Sequence, residues 1–264
     1  MTAKARGSHP RPKDRTLLSS DFTQTGLFVH RTGPPPARFQ VLGERSSGTN
    51  LVSRLLAQNS TLQQTDVLGW KHGPPGMMAI PPDLAVICVV RNAADWALSM
   101  HAKPWHTTPV LQALEFSEFI RAPWHTILDR PRYFDTTAGL IGQPLQADRD
   151  PVNGAVFPNL FALRRSKLTG LLGYLNRGCT VAVLRLESVQ AHPRTTLDEL
   201  MLALDQPARA APFRMIKKRL GSRFKPAIAQ RPATPARLSS DNLAFMASQL
   251  DPEQEAGLGY SYEG

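Results

Sequence analysis

The sequence predicts an α/β protein of three layers, in which helices cover a central, mainly parallel sheet. Two segments, Leu84–Val90 (LAVICVV) and Thr180–Leu186 (TVAVLRL), are apolar and rich in β-branched residues. Such runs are typical of strands that are covered on both faces. A third strand, Arg38–Leu42, runs into Gly43, and helical spacing follows from Thr49 to Gln58. A strand, a glycine-bearing turn and a helix form the opening unit of a parallel α/β sheet.

The remaining helices are predicted from apolar spacing. After Arg91 the apolar positions Trp96, Leu98 and Met100 indicate a helix. Pro193 suits the first turn of another helix, because proline has no backbone N–H to leave unpaired there. This helix is predicted to run over residues 193–204. Helical spacing predicts three further segments: residues 112–121, 158–175 and 239–249.

Length and composition predict one globular unit. A chain of 264 residues with 42% hydrophobic and 20% charged residues can bury one substantial core, and it is not a disordered chain. We expect a flexible basic tail over residues 1–20 and a single α/β domain over residues 21–264. The net charge of +10 favours polyanionic partners such as nucleic acid, acidic glycans, lipid headgroups or phosphorylated cofactors. A generic basic surface would explain the same charge.

The span from Asp205 to Asp241 contains no acidic residue between these two ends. It carries nine Lys and Arg residues: Arg209, Arg214, Lys217, Lys218, Arg219, Arg223, Lys225, Arg231 and Arg237. The segment 205–241 is therefore predicted to be a mobile basic loop. It would act as a lid over an anionic ligand or simply be a solvated loop.

The compartment is inferred from what the sequence lacks. Its two cysteines, Cys88 and Cys179, make neither a disulfide framework nor a four-ligand zinc site. No apolar run approaches the ~20 residues that span a bilayer. The basic N-terminal segment has no apolar segment behind it, so it does not resemble a secretory signal. We expect a cytoplasmic protein without a transmembrane segment; an organelle presequence is the alternative.

The turn after the first strand is a candidate anion site. Residues Gly43–Asn50 (GERSSGTN) have the G-x-x-x-x-G spacing of a phosphate-binding loop. Backbone amides and a helix N-terminus would face the anion. In nucleotide triphosphatases Lys and a magnesium-binding Ser or Thr follow the second glycine, but here Thr49 and Asn50 follow Gly48. We therefore predict a P-loop-like anion site without magnesium-dependent hydrolysis; a turn that only joins strand to helix is the alternative. Hydroxyl donors would come from Ser46, Ser47 and Thr49.

A second candidate anion site follows the strand Leu84–Val90. Ligands of α/β sheets bind beyond the carboxyl ends of the strands, and Arg91 stands at that position. Ser99 follows eight positions later in the predicted helix. A guanidinium and a hydroxyl together can hold a phosphate group. The alternative is a structural ion pair between Arg91 and Asp95.

Together the two sites resemble the sulfotransferases that use 3′-phosphoadenosine 5′-phosphosulfate (PAPS). Ser47–Asn50 matches the family's S-G-T-[TN] loop, which binds the 5′-phosphosulfate. Val90–Asp95 (VRNAAD) and Ser99 match the segment whose Arg and Ser hold the 3′-phosphate. The segments Val183–Val189 and Leu258–Tyr260 resemble a later strand and a common ending of the family. The similarity spans residues 38–262.

The resemblance also implies catalytic roles. Trp70–Pro74 (WKHGP) stands where cytosolic members carry a Lys–His segment, so His72 would be the general base. Lys71 or Arg45 would stabilise the leaving oxygen. Glu44 is a rival base, because some sulfotransferases use a glutamate. The implied site comprises the catalytic residues His72, Lys71 and Glu44 and the donor-binding residues Arg45, Ser46, Ser47, Gly48, Thr49, Asn50, Arg91 and Ser99.

The implied reaction moves a sulfuryl group from PAPS, a co-substrate, to a hydroxyl or amine of a glycan or small molecule, without a metal. The Lys, Trp and His residues of the stretch His101–His106 would line an acceptor pocket or merely pack as an amphipathic turn. Two other functions stay open. A P-loop small-molecule kinase would need the missing lysine, and the pair Arg91 and Ser99 suits a 3′-phosphate that ATP lacks. A non-catalytic polyanion-binding protein would use the basic charge alone, since no specific nucleic-acid motif is present.

Overall fold

A computed structural model describes residues 18–130, 138–217 and 223–262 of the chain. Its sheet has five strands in the order β1-β5-β4-β2-β3. Strands β2 to β5 run parallel to one another, and β1 is antiparallel to β5. The predicted α/β class with a mainly parallel sheet is thus confirmed. The strands are β1 (Leu27–His30), β2 (Arg38–Gly43), β3 (Gln63–Gln64), β4 (Leu84–Val90) and β5 (Thr180–Arg185).

The helices differ from the sequence predictions mainly at their ends. The segment 112–121 is not one helix, because one helix ends at Gln112 and the next begins at Phe116. The segment 158–175 becomes a helix that begins after Asn159, whose side chain accepts a hydrogen bond from the Ala162 amide. Helix bounds are α1 (Phe22–Thr25), α2 (Thr49–Asn59), α3 (Ala93–Ala102), α4 (Pro109–Gln112), α5 (Phe116–Arg121), α6 (Leu160–Leu172), α7 (Leu186–Ala191), α8 (Pro193–Ala203), α9 (Ser240–Gln249) and α10 (Pro252–Gly257).

The central strand β4 is buried along its whole length because helices cover both faces of the sheet. Its alternate residues Ala85, Ile87 and Val89 pack in one cluster with α2, α7 and α8. The intervening residues Leu84, Val86, Cys88 and Val90 pack in a second cluster with α6 and with Leu258 and Tyr260. Side chains alternate between the faces of a strand, so an unbroken apolar run is what two covering layers require.

The described parts of the basic segment 205–241 are anchored on both sides of residues 218–222, which lie outside the described residues. Before that gap, the Asn59 side chain bonds both backbone groups of Arg214, at 2.7 Å to the amide and 3.1 Å to the carbonyl. After it, Arg231 donates to the carbonyl oxygens of His101 and Ala102. Closure of this segment as a lid stays a prediction.

Two further sequence predictions concern the N-terminal tail and the absence of a transmembrane segment. Residues 1–17 of the predicted tail lie outside them. Among the helices that the structure describes, none combines the length and apolarity needed to cross a membrane.

Candidate functional site

The predicted site residues meet in a groove of about 970 Å³ beyond the carboxyl ends of β2 and β4. The loop between β2 and α2 forms one wall. Segment 70–72 and the residues after β4 form others. Glu44 and Ser47 are the two predicted site residues that do not line the groove. Those that do are Arg45, Ser46, Gly48, Thr49, Asn50, Lys71, His72, Arg91 and Ser99.

The loop from Glu44 to Gly48 is held by its own hydrogen bonds. The Ser47 hydroxyl donates to the Glu44 carbonyl at 2.7 Å, so it is used inside the loop rather than in the groove. Ser46 and Gly48 have left-handed backbone conformations, with φ of 65° and 91°. These two conformations turn the backbone after β2, and α2 begins at Thr49 with its N-terminus at the groove. A helix N-terminus attracts anions, because its first amides have no partner within the helix.

Gly48 is expected to tolerate no side chain. A Cβ atom there would lie 2.3 Å from the Leu186 side chain, in a backbone conformation that disfavours L-residues. We expect Gly48→Ala to lower the free energy of unfolding by about 2–3 kcal/mol, measured by urea denaturation. Gly33→Ala is the matched control, because Gly33 has φ of 71° and open space around its Cβ position. Equal losses in both variants would mean that the contact with Leu186 contributes nothing.

Arg91 and Ser99 come together as predicted. The Arg91 Nη1 atom donates to the Ser99 hydroxyl at 2.7 Å and to the Ser46 carbonyl at 2.9 Å. Asn92 caps α3 by accepting from the Ala94 amide, which places Ser99 two turns into the helix. The alternative ion pair with Asp95 is not among the ion pairs of the described residues. Burial lowers the pKa of Arg91, and an anion in the groove would offset that cost.

Lys71 and His72 extend along the outer edge of β2. The Gly43 amide donates to the Lys71 carbonyl at 3.0 Å, and His72 Nδ1 donates to the Gly43 carbonyl at 2.6 Å. A carbonyl can only accept, so the proton of neutral His72 is on Nδ1 and the lone pair is on Nε2. Burial, followed by the charge of Lys71, holds the pKa of His72 well below its usual range.

The Lys71 ammonium lies at the first turn of α2. It donates to the Asn50 side-chain oxygen at 2.6 Å, and burial lowers its pKa. In nucleotide triphosphatases a lysine within the loop brings a cation to this region. Here a residue from a different segment brings one instead.

Arg45 is already paired beneath the groove. Its guanidinium lies 2.6 Å from Asp148, and both side chains are buried. Lys167 lies 3.3 Å from the other oxygen of Asp148. Burial opposes the charge on Asp148, but Arg45 and Lys167 outweigh it and lower its pKa to about 2. Much of the Arg45 charge is therefore balanced before any ligand arrives, although the side chain lines the groove.

Glu44 lies beneath the loop in a second buried ion cluster. Arg164 donates to Glu44 and to Glu255, each at 2.7 Å, and to the Arg91 carbonyl at 2.8 Å. One guanidinium thus serves two carboxylates. Burial raises the pKa of Glu44 to about 7; Arg164 opposes this shift and Glu255 adds to it. The Glu44 carboxylate supports the loop from below, in a position that does not face the groove.

The raised pKa of Glu44 predicts a pH-dependent stability. The folded protein binds this proton more tightly than the unfolded chain, whose pKa is near 4.5. The stabilising contribution is complete below about pH 4.5 and is lost as the pH rises through about 7. Wild type should lose about 1–3 kcal/mol over that window relative to Glu44→Gln. The free energy of unfolding of both proteins is measured by urea denaturation at each pH. The same pH dependence in wild type and Glu44→Gln would contradict the prediction.

Several polar residues of the site were missed from the sequence. The burial of Arg164 could have been predicted, because the residue lies four positions from Leu160 and four from Leu168 on the buried face of α6. No sequence pattern pointed to Asp129. Its carboxylate accepts a hydrogen bond from His106 Nδ1 at 2.6 Å, although the two residues are more than twenty positions apart. Of the stretch His101–His106, the side chains of Lys103, Trp105 and His106 line the groove, whereas His101 is buried and contacts the Thr234 hydroxyl.

The groove is strongly cationic. Among the described residues that line it there is no Asp or Glu. The lining Lys and Arg residues are Arg45, Arg54, Lys71, Arg91, Lys103 and Lys217.

Comparison of the chain with protein-family models, curated proteins and solved structures found no match.

Proposed function

We propose that this protein transfers a sulfuryl group from PAPS to a hydroxyl or amine of an acceptor. The observation that carries the proposal is the hydrogen-bonded pair of Arg91 and Ser99 in the same groove as the loop that ends at Gly48. In this proposal the groove has two anion sites. One lies at the N-terminus of α2 beside Lys71, and the other lies at the end of β4.

Two separated anion sites suit a nucleotide with phosphate groups on both the 5′ and 3′ positions. ATP carries its phosphates in one chain, so it would leave the Arg91 site without a phosphate. Ser47–Asn50 and Val90–Asp95 with Ser99, two of the segments that resemble PAPS-dependent sulfotransferases, contribute to the two sites, which supports the same assignment. In this proposal Arg91 and Ser99 hold the 3′-phosphate, and the amides of residues 46–50 hold the 5′-phosphosulfate.

The reaction is an in-line displacement at sulfur. Negative charge grows on the departing 5′-phosphate oxygen, where loop amides and a nearby cation would stabilise it. Lys71 is better suited than Arg45, because Asp148 already balances the charge of Arg45. The acceptor must also lose a proton. Two imidazoles, His72 and His106, line the groove and offer places for it.

Calorimetric titration with 3′-phosphoadenosine 5′-phosphate (PAP), the product nucleotide, tests the proposal. We expect PAP to bind at least about tenfold more tightly than ADP or AMP, because only PAP has a 3′-phosphate for Arg91. Magnesium should change the affinity little. Tight binding of magnesium–ATP without a preference for the 3′-phosphate would favour a P-loop kinase. Equal, weak binding of all nucleotides and of heparin would favour a non-catalytic polyanion-binding protein.

A further inference from the structure

Two histidines pack against Trp70 in the lining of the groove. The ring centroids of His72 and Trp70 are 5.3 Å apart, and those of His106 and Trp70 are 5.9 Å apart. Both histidines line the groove. The sequence resemblance implied that His72 is the general base. The two rings differ, however, in their hydrogen-bond partners and in the charges around them.

His106 is held in a defined orientation. Its φ of 66° is unusual for a residue with a side chain, and such backbone strain costs about 1–3 kcal/mol. The Ile127 amide donates to the His106 carbonyl at 2.8 Å, and a β-bridge joins Thr107 to Thr126. These contacts fix the backbone beside Asp129. A strained residue that several contacts hold in place is common at functional sites.

Asp129 sets the protonation of the His106 ring. Its Oδ1 lies 2.6 Å from His106 Nδ1, and its Oδ2 lies 3.2 Å from Arg130 Nε. The ionised carboxylate only accepts hydrogen bonds, so Nδ1 carries the proton of the neutral ring and Nε2 bears the lone pair. A carboxylate in this position also stabilises the imidazolium that forms when Nε2 takes a proton.

The charges around the two rings favour His106. Three cations, Lys71, Arg45 and Lys167, oppose a proton on His72, and its Nδ1 partner is a neutral carbonyl. Burial is the largest influence on His106 too, and with Arg45 it holds the pKa of this ring below its usual range. However, Asp129 and Asp148 stabilise its charged form. Of the two imidazoles, His106 is the one whose Nδ1 atom is hydrogen-bonded to a carboxylate, and this geometry favours it as the general base.

We infer that His106, oriented by Asp129, is the general base that accepts the acceptor's proton, and that His72 instead positions the start of the loop through Gly43. The inference rests on the proposed sulfuryl transfer. The O–H or N–H bond of the acceptor breaks, and its proton goes to His106 Nε2. The acceptor atom forms a bond to sulfur as the bond from sulfur to the 5′-phosphate oxygen breaks, and that oxygen keeps the electron pair.

The test compares two acceptors that differ in their need for a base. Phenol is a weak acid that must be deprotonated, whereas p-nitrophenol is largely ionised at about pH 8. Single-turnover transfer from radiolabelled PAPS is measured for both. His106→Gln should lower the rate with phenol about 10²-fold or more and the rate with p-nitrophenol less than about threefold. Asp129→Asn should show the same preference with a smaller loss.

His72→Gln is the matched control, because it removes the other imidazole that packs against Trp70. It should affect both acceptors by the same factor. The inference is overturned if His106→Gln lowers both rates equally, if it lowers neither, or if the phenol-selective loss appears in His72→Gln. Absence of transfer from wild type to either phenol would also overturn it.

PAP calorimetry on the same proteins separates the two proposals. Wild type, His106→Gln and Asp129→Asn should bind PAP within about threefold of each other, because other residues hold both phosphate groups in the proposal. If wild type fails to bind PAP, the proposed function fails and the inference fails with it. If PAP binds but the acceptor pattern differs from that expected, the inference alone fails.

Discussion

Replacing Arg164 by methionine is expected to lower the free energy of unfolding by about 3–5 kcal/mol, because it would leave Glu44 and Glu255 buried without their cation. Arg164 is fully buried and makes hydrogen bonds to both carboxylates and to the Arg91 carbonyl. Methionine would fill part of its volume but would compensate neither negative charge. Urea denaturation at about pH 7.5, above the pKa of about 7 that Glu44 has in the folded wild type, should show the loss.

The neighbouring Arg165 supplies the control. Its side chain is exposed and donates to the Gln249 carbonyl at 3.1 Å, so Arg165→Met should change stability by less than about 0.5 kcal/mol. Adding Glu44→Gln and Glu255→Gln to Arg164→Met should recover part of the loss, since the buried charges are then gone. A loss no greater than that of the Arg165 variant would mean that the cluster contributes little to folding.

Arg91→Ala is expected to weaken the binding of PAP by about 30-fold to 10³-fold, because truncating one member of a desolvated charge pair costs about 2–4 kcal/mol. The binding of AMP should change much less, since AMP has no 3′-phosphate. Calorimetry with the two nucleotides on the same variant measures the difference directly. AMP is the essential comparison because Arg91 also donates to the Ser46 carbonyl, so its removal would alter the loop that both nucleotides contact in the proposal.

Arg54 provides the matched cation. It lines the same groove from α2 and is exposed, and no hydrogen bond ties it to Ser99. Arg54→Ala should reduce PAP affinity less than about fivefold. If Arg91→Ala weakened AMP and PAP by the same factor, Arg91 would act by supporting the loop and not by holding the 3′-phosphate.

The sequence was sufficient where local pattern and burial agree. The run Leu84–Val90 predicted its strand because both faces are covered, which removes any polar alternation. Arg91 and Ser99 were predicted to share one site, and local structure brings them together, because Asn92 caps α3 and Ser99 follows about two turns into that helix. Both features depend on neighbours in the chain.

Pairings between distant segments could not be predicted. Asp148 is 103 residues from Arg45, and Glu255 is 91 residues from Arg164. Their partners are chosen by how the layers pack, and no local pattern encodes that choice. The antiparallel strand Leu27–His30 escaped prediction for a related reason, because its four half-buried residues have no clear alternation.

The position of segment 68–72 against β2 has a consequence for the behaviour of the protein in concentrated solution. β3 pairs with β2 only at Arg38 and Phe39, which would leave the rest of that edge exposed to another chain. Backbone groups of Gly43 are instead bonded to Lys71 and His72, and the Gln40 side chain bonds Gly69. Unpaired sheet edges promote intermolecular strand addition. The contacts that place Lys71 and His72 at the groove therefore also protect the edge. We expect Gln40→Ala, which frees that segment, to increase light scattering from aggregates before the protein unfolds.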